Sequence, residues 1–225
     1  MNVLLSLLVF FLAFCSSNKV KDSDNPEAIY NEAIKEIEDE DYLEAKDYLD
    51  TVKKKFPQSR FAVLADLKLA DIEYSEENFT ESAAIYGVFV DLHPNHEQAP
   101  YAQFRKASAY LKDSPEKIAR DQSPAAEAVN SARKFLARYP NSQFKKEVEE
   151  ILLQARTRLA QKEAYIAKFY ERKDKLESAN QRWLNLLNEF SDLEDKSGEE
   201  GKKLIQLAKN HVASYAQKRA SEKNE

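Results

Sequence analysis

Three histidines, one cysteine and a Glu-Ser pair are the side chains from which a reactive centre could be assembled in this chain of 225 residues. His93 and His96 flank a Pro-Asn turn beside Asp91 and Glu97, and His211 lies far from both in the chain. Zinc takes four ligands drawn mainly from Cys and His. The one cysteine, Cys15, excludes a multi-cysteine metal site and an internal disulfide, and the two clustered histidines read as solvated turn residues. No Ser-His-Asp or Cys-His set can be drawn from these residues. Glu81-Ser82 resembles the Glu-Ser pair of transglycosylases, but it falls at a packing position of a repeat and no Gly-rich stretch follows it. The only glycines are Gly87, Gly198 and Gly201, so no Gly-rich phosphate loop exists. No catalytic, cofactor or metal residue is therefore assigned, and the pattern speaks for binding rather than catalysis.

Cys15 is informative by position. Val3 to Phe14 read VLLSLLVFFLAF, an apolar block directly before it. A spanning helix needs roughly 20 apolar residues; this block fits the h-region of a signal peptide. Leu12-Ala13-Phe14-Cys15 resembles a bacterial lipobox, with Phe14 standing where the pattern has a small residue. The resemblance implies cleavage before Cys15, acylation of that cysteine, and sorting to the outer membrane, since Ser16 follows rather than Asp. The expected organisation is a signal peptide over 1–14, a lipidated tether over 15–25 and a repeat domain over 26–220.

The elements that must position any site are helices. Hydrophobic residues make up 43% and charged residues 32%, and so few glycines leave little room for the tight turns of a sheet protein. The net charge of −5 speaks against nucleic acid as the ligand. Ala33, Ala45 and Pro57 recur as Ala70, Ser82 and Pro94, each shifted by 37 residues. A third unit gives Ala107, Ala128 and Pro140, and a fourth gives Ala167 and Ala179 with Ser191 in the proline's place. Small residues let two antiparallel helices approach closely, and the residue before a proline is pushed out of the α region. This is the tetratricopeptide pattern, a helix–turn–helix unit that stacks into a superhelix. The predicted fold class is all-α, with about four and a half repeats near 26–58, 59–95, 97–141, 142–191 and a partial unit at 198–220.

Two units depart from the pattern. In the third, nine extra residues lie between the helices, within LKDSPEKIARDQSP. In the fourth, neither Gly nor Pro occurs from Gln143 to Arg172, which predicts one long helix capped by Ser142. A charged loop from Asp192 to Gly201 is expected to lead into a last amphipathic helix through Leu204, Ala208, Val212 and Tyr215.

Arg120-Asp121-Gln122-Ser123-Pro124, followed by AAEAVNSARKFLARYPNSQF through Phe144, resembles the BamD family, also called YfiO or ComL. Similar too are Ala28 to Asp50, His93 to Ala107 and Arg158 to Trp183. The likeness covers roughly Pro26 to Phe190. It implies a lipoprotein subunit of the outer-membrane β-barrel assembly machinery that uses no metal or cofactor. The implied partners are the POTRA domains of a BamA-like subunit, other lipoproteins of that complex, and unfolded outer-membrane β-barrel proteins. The membrane is reached through the lipid anchor, on the periplasmic face. The alternative is another periplasmic tetratricopeptide lipoprotein that scaffolds cell-division or envelope proteins.

Two further site residues follow from the resemblance. Phe56, before Pro57, matches an aromatic position used in the family for substrate contact; otherwise it packs against the next unit. Arg182 matches an arginine that contacts a carboxylate on a POTRA domain. Its neighbour Trp183 stands where Leu49 and Tyr86 stand in earlier units, so Trp183 should pack inward. Arg182, turned about 100° from it, should emerge at the edge of the packed face, solvated or paired with an acid such as Glu177. Tyr30, Tyr42 and Tyr74 are candidate aromatic contacts in a groove.

Overall fold

In the computed structural model, residues 20–222 are described. The apolar block, Cys15 and the first residues of the tether lie outside them. Among the described residues from Pro26 on, the helices are, in order, α1 Pro26–Glu38, α2 Tyr42–Lys55, α3 Arg60–Ser75, α4 Phe79–Leu92, α5 Ala99–Asp113, α6 Ser123–Arg138, α7 Lys145–Arg172, α8 Leu176–Phe190, α9 Leu193–Lys196 and α10 Gly198–Glu222. No strand occurs among the described residues, so the fold is all-α and of the helix-pair type. The described residues form two compact units, divided between Ala102 and Gln103.

The small residues do what their spacing requires. Ala33, Ala45, Ala70, Ala107, Ala128 and Ala167 are fully buried, and Ala179 nearly so. Ser82, the one polar member of the set, is buried too, and its Oγ donates 2.9 Å to the carbonyl of Ala70 across the pair. A buried hydroxyl is tolerated because that bond replaces the one it gave to water. One turn further along, Leu49, Tyr86, Ala132 and Trp183 occupy equivalent buried positions.

Three units end alike. Phe56, His93 and Tyr139 each cap a helix in the same extended-side conformation (φ/ψ −131/56°, −124/53° and −124/56°), and each precedes a proline. The pyrrolidine ring forbids the α region to its predecessor. At the end of α8 the proline is absent, and Ser191 stays helical at −57/−30°. The chain accordingly runs on into α9 and, through Gly198 at φ +57°, into α10. The predicted charged loop from Asp192 to Gly201 is therefore mostly helical.

Within a unit the turn between helices is made without glycine. Glu40, Glu77 and Asp174 hold φ of 61°, 63° and 55°. The residue after each donates its N–H back to a carbonyl of the preceding helix: Asp41 to Glu36, Asn78 to Glu73 and Lys175 to Tyr170, at 2.8–3.0 Å. This closes the helix end as a Schellman motif does.

One further difference from the sequence reading, at Ser142, and two local attachments have identifiable causes. The long helix starts at Lys145 with Phe144 at its N-cap position, and Ser142 is not its N-cap; the Ser142 Oγ instead accepts from the Phe144 N–H at 3.3 Å, just before the helix begins. The extra residues of the third unit, 114–122, are held in place. Gln122, 4% exposed, donates to the carbonyls of Pro115 and Lys117, while Arg158 and Lys162 of α7 donate to Pro115, Ala119 and Arg120. The end of the polar tether is also fixed. Val20 packs on the core of the first unit, and Lys21 pairs with Glu44 and Asp47 of α2 at 2.7 and 2.5 Å.

Candidate partner-binding site

Arg182 lies on α8, one position before the buried Trp183. Trp183 is 1% exposed and sits in an apolar cluster with Ala164, Leu186, Phe190, Leu193 and Ile205. Its indole Nε1 donates to Glu171 Oε1 at 2.8 Å. The His211 ring of α10 stacks on the indole at 4.8 Å and 9°, with its Nδ1 also 2.8 Å from Glu171 Oε1. One carboxylate thus ties α7, α8 and α10 around the only tryptophan.

That arrangement fixes the direction of Arg182. With the indole turned inward, the guanidinium emerges at the edge, where its side chain is 38% exposed. It does not pair with Glu177. Nη1 donates to both oxygens of Glu163 on α7, each at 3.3 Å. Contacts of that length through one nitrogen are weaker than a parallel two-nitrogen fork. A half-exposed pair of this kind contributes little to stability.

Arg156 of α7 is the contrasting case. It forms the two-nitrogen fork with Asp192, Nη1 to Oδ2 and Nη2 to Oδ1, both at 2.6 Å, and its Nη2 also reaches the Glu189 carbonyl at 2.9 Å. These bonds, helped by Lys196, hold the Asp192 carboxyl well below the usual carboxylate range. This arginine is structural: it pins the corner after α8 to α7. Nothing in the spacing of a single sequence distinguishes Arg156 from Arg182; only the partner carboxylate does.

Phe56 belongs to the other compact unit. Its ring is half-buried against the cluster of Ile29, Tyr48, Leu49 and Val52. Tyr30, also half-buried, meets Phe61 at 5.5 Å, and Tyr74 meets Phe79 edge-on at 5.2 Å. Most of this aromatic surface is thus engaged in packing. His93 and His96 meet each other and Phe89 through their rings. No cluster of potential metal ligands occurs among the described residues, and no helix among them is long and apolar enough to cross a membrane.

Helix pairs registered by small residues define a fold of the tetratricopeptide class. The match to known proteins is more particular. The family model YfiO, described as outer membrane lipoprotein, covers residues 22–223, and the chain belongs to that family. Among similar proteins is the outer membrane protein assembly factor BamD of Pasteurella multocida, 22% identical over 197 residues, which are 84% of this chain and 76% of the relative. The factor of the same name from Vibrio cholerae is 24% identical over 200 residues, 85% and 83% of the two chains. That from Rickettsia prowazekii is 24% identical over 193 residues, 84% and 76%.

Proposed function

We propose that this chain is an assembly factor for outer-membrane proteins, a lipid-anchored scaffold that binds other proteins and performs no catalysis. The observation that carries this reading is the family match across almost the whole helical region, together with the assembly-factor names of the relatives. In this reading Cys15 carries the lipid on the periplasmic face of the outer membrane. Val20, five positions after Cys15 in the chain, is docked on the first unit. The anchor then holds the scaffold close to the membrane surface.

Arg182 is the proposed contact with a carboxylate on a POTRA domain of a BamA-like subunit. The weak intramolecular pair with Glu163 keeps the guanidinium oriented until that partner arrives. Phe56 offers the exposed part of its ring to unfolded β-barrel substrates, and other lipoproteins of the complex complete the assembly.

The test is a pull-down of purified POTRA domains by the full chain. Arg182→Glu should abolish capture while circular dichroism stays unchanged. Glu163→Gln, which releases Arg182, should capture at least as well as the parent. Capture at parental strength by a folded Arg182→Glu protein refutes the assignment. Recovery of division proteins instead of barrel-assembly subunits on detergent co-purification refutes the wider reading.

A further inference from the structure

The solvent face of α7 carries a second surface, separate from Arg182. At 100° per residue, Lys162, Tyr165, Lys168, Phe169, Arg172 and Lys173 fall within about 80° of Tyr165 on one side of the helix or its cap. Gln161 is interleaved among them, and no Asp or Glu of α7 falls on that arc between residues 158 and 173. The glutamates of this stretch, Glu163 and Glu171, point elsewhere, to Arg182 and to Trp183. In a chain of net charge −5 this is a local reversal of sign over residues 162–173, bounded at its N-terminal end by Glu200 of α10, which accepts from Gln161 at 2.5 Å.

The cations of this face are also unusual in their partners. Elsewhere, lysines such as Lys21, Lys46, Lys53 and Lys209 reach carboxylates within 2.5–2.8 Å. Among the described residues, Lys162, Lys168, Arg172 and Lys173 form no ion pair, and Lys162 instead donates to the carbonyls of Ala119 and Arg120. Carbonyl oxygens orient a cation without cancelling its charge. Between these cations lie two of the few large apolar side chains left in water, Tyr165 at 41% and Phe169 at 43% exposure.

We infer that this face docks an acidic segment of a partner polypeptide, one whose carboxylates meet the lysines and Arg172 while an apolar side chain covers Tyr165 and Phe169. Charge complementarity sets the sign of the partner. The posture of the rings favours a polypeptide over a lipid surface. Lys162 Nζ stands over the Tyr165 ring at 5.7 Å and Lys173 Nζ over Phe169 at 6.0 Å. The cations thus cover the ring faces. Insertion into a bilayer instead needs aromatic side chains reaching past charges that snorkel back to the headgroups. Tyr165, Phe169 and Arg172 are of the residue types enriched at interface centres, and the three lysines suit the polar rim around them. The inference does not depend on Arg182 or on the identity of the POTRA partner.

The test uses the full chain and a short fluorescein-labelled peptide in which glutamates flank two phenylalanines, read by fluorescence anisotropy. Control peptides replace the phenylalanines by alanine or the glutamates by lysine. Vesicles of phosphatidylethanolamine and phosphatidylglycerol form a separate arm, and sedimentation reports self-association. The acidic aromatic peptide should bind, more weakly as salt rises, and both controls should fail. Lys168→Glu/Arg172→Glu and, separately, Tyr165→Ala/Phe169→Ala should each weaken binding by about tenfold or more. Absence of peptide binding, or binding unaltered in either double variant, overturns the inference. Vesicle binding lost in both double variants, without peptide binding, assigns the face to the membrane. A dimer abolished by those variants assigns it to a second copy of the chain.

Discussion

Gly201→Ala sets two physical effects against each other at one atom. Gly201 lies in the first turn of α10, where alanine is the better helix former by about 0.8–1 kcal/mol. Propensity alone predicts a gain. The structure predicts a loss: a Cβ at this position falls 2.1 Å from the Leu193 carbonyl oxygen and 2.7 Å from Ser197 Cβ. The first contact is with backbone, which has no rotamer to change, so α9 and α10 must move apart. Overpacking of this kind costs typically about 1–3 kcal/mol and occasionally more. It also loosens the contacts of the fully buried Leu193, Ile205 and Ala208. The clash should win, with a net loss on the order of 2 kcal/mol and a fall in Tm of about 4–8 °C for a chain of this size. The assay is thermal unfolding followed by circular dichroism, together with the emission of Trp183, the only tryptophan, which His211 of α10 covers. Displacement of α10 should shift that emission. Gly198→Ala is the companion, with φ +57° and no atom within 4 Å of an added Cβ. It should lose only the left-handed backbone penalty of about 1–2 kcal/mol, and Gly198→Asn should recover part of it. A Gly201→Ala protein with an equal or higher Tm refutes the close approach of α9 and α10.

The remaining predictions concern packing, titration and anchoring. Ala128→Leu places a larger side chain where none of the surface is exposed and should cost about 1–3 kcal/mol; an unchanged Tm removes the α5–α6 contact from that position. The folded pKa of Asp192 is depressed by Arg156, so the stability it contributes is fully present above the ordinary aspartate pKa of about 4 and is lost as pH falls through the lower folded value. Asp192→Asn should therefore lower the urea midpoint at neutral pH and flatten its acid decline below about pH 4; parallel pH profiles for variant and parent contradict the pairing. Cys15→Ser should release the protein from the outer-membrane fraction in cells lacking its partners, and persistence in that fraction rules out the lipid as the anchor.

The sequence by itself determined the repeat. Small residues at Ala33, Ala45, Ala70 and Ser82 and prolines at 57, 94 and 140 encode helix pairing and helix termination through local sterics, which act over a few residues and so leave a periodic trace. The same reasoning placed Trp183 inward and Arg182 at the edge, because helical periodicity relates neighbours by a fixed angle. Tertiary structure decided what depends on residues distant in the chain. Glu40, Glu77 and Asp174 adopt left-handed turns that no glycine marks, because the packed helix pairs on either side impose the reversal. The stretch after α8 looked like a charged loop, yet Arg156, 36 positions upstream of Asp192, fixes its corner and lets α9 and α10 form. Arg182 and Arg156 are one residue type with opposite fates, and only the distance to a carboxylate on another element separates them: a tight fork at 2.6 Å for one, a loose 3.3 Å contact for the other. Local pattern is written in neighbouring residues; partner choice is a property of the packed helices, and it appears only when they are brought together.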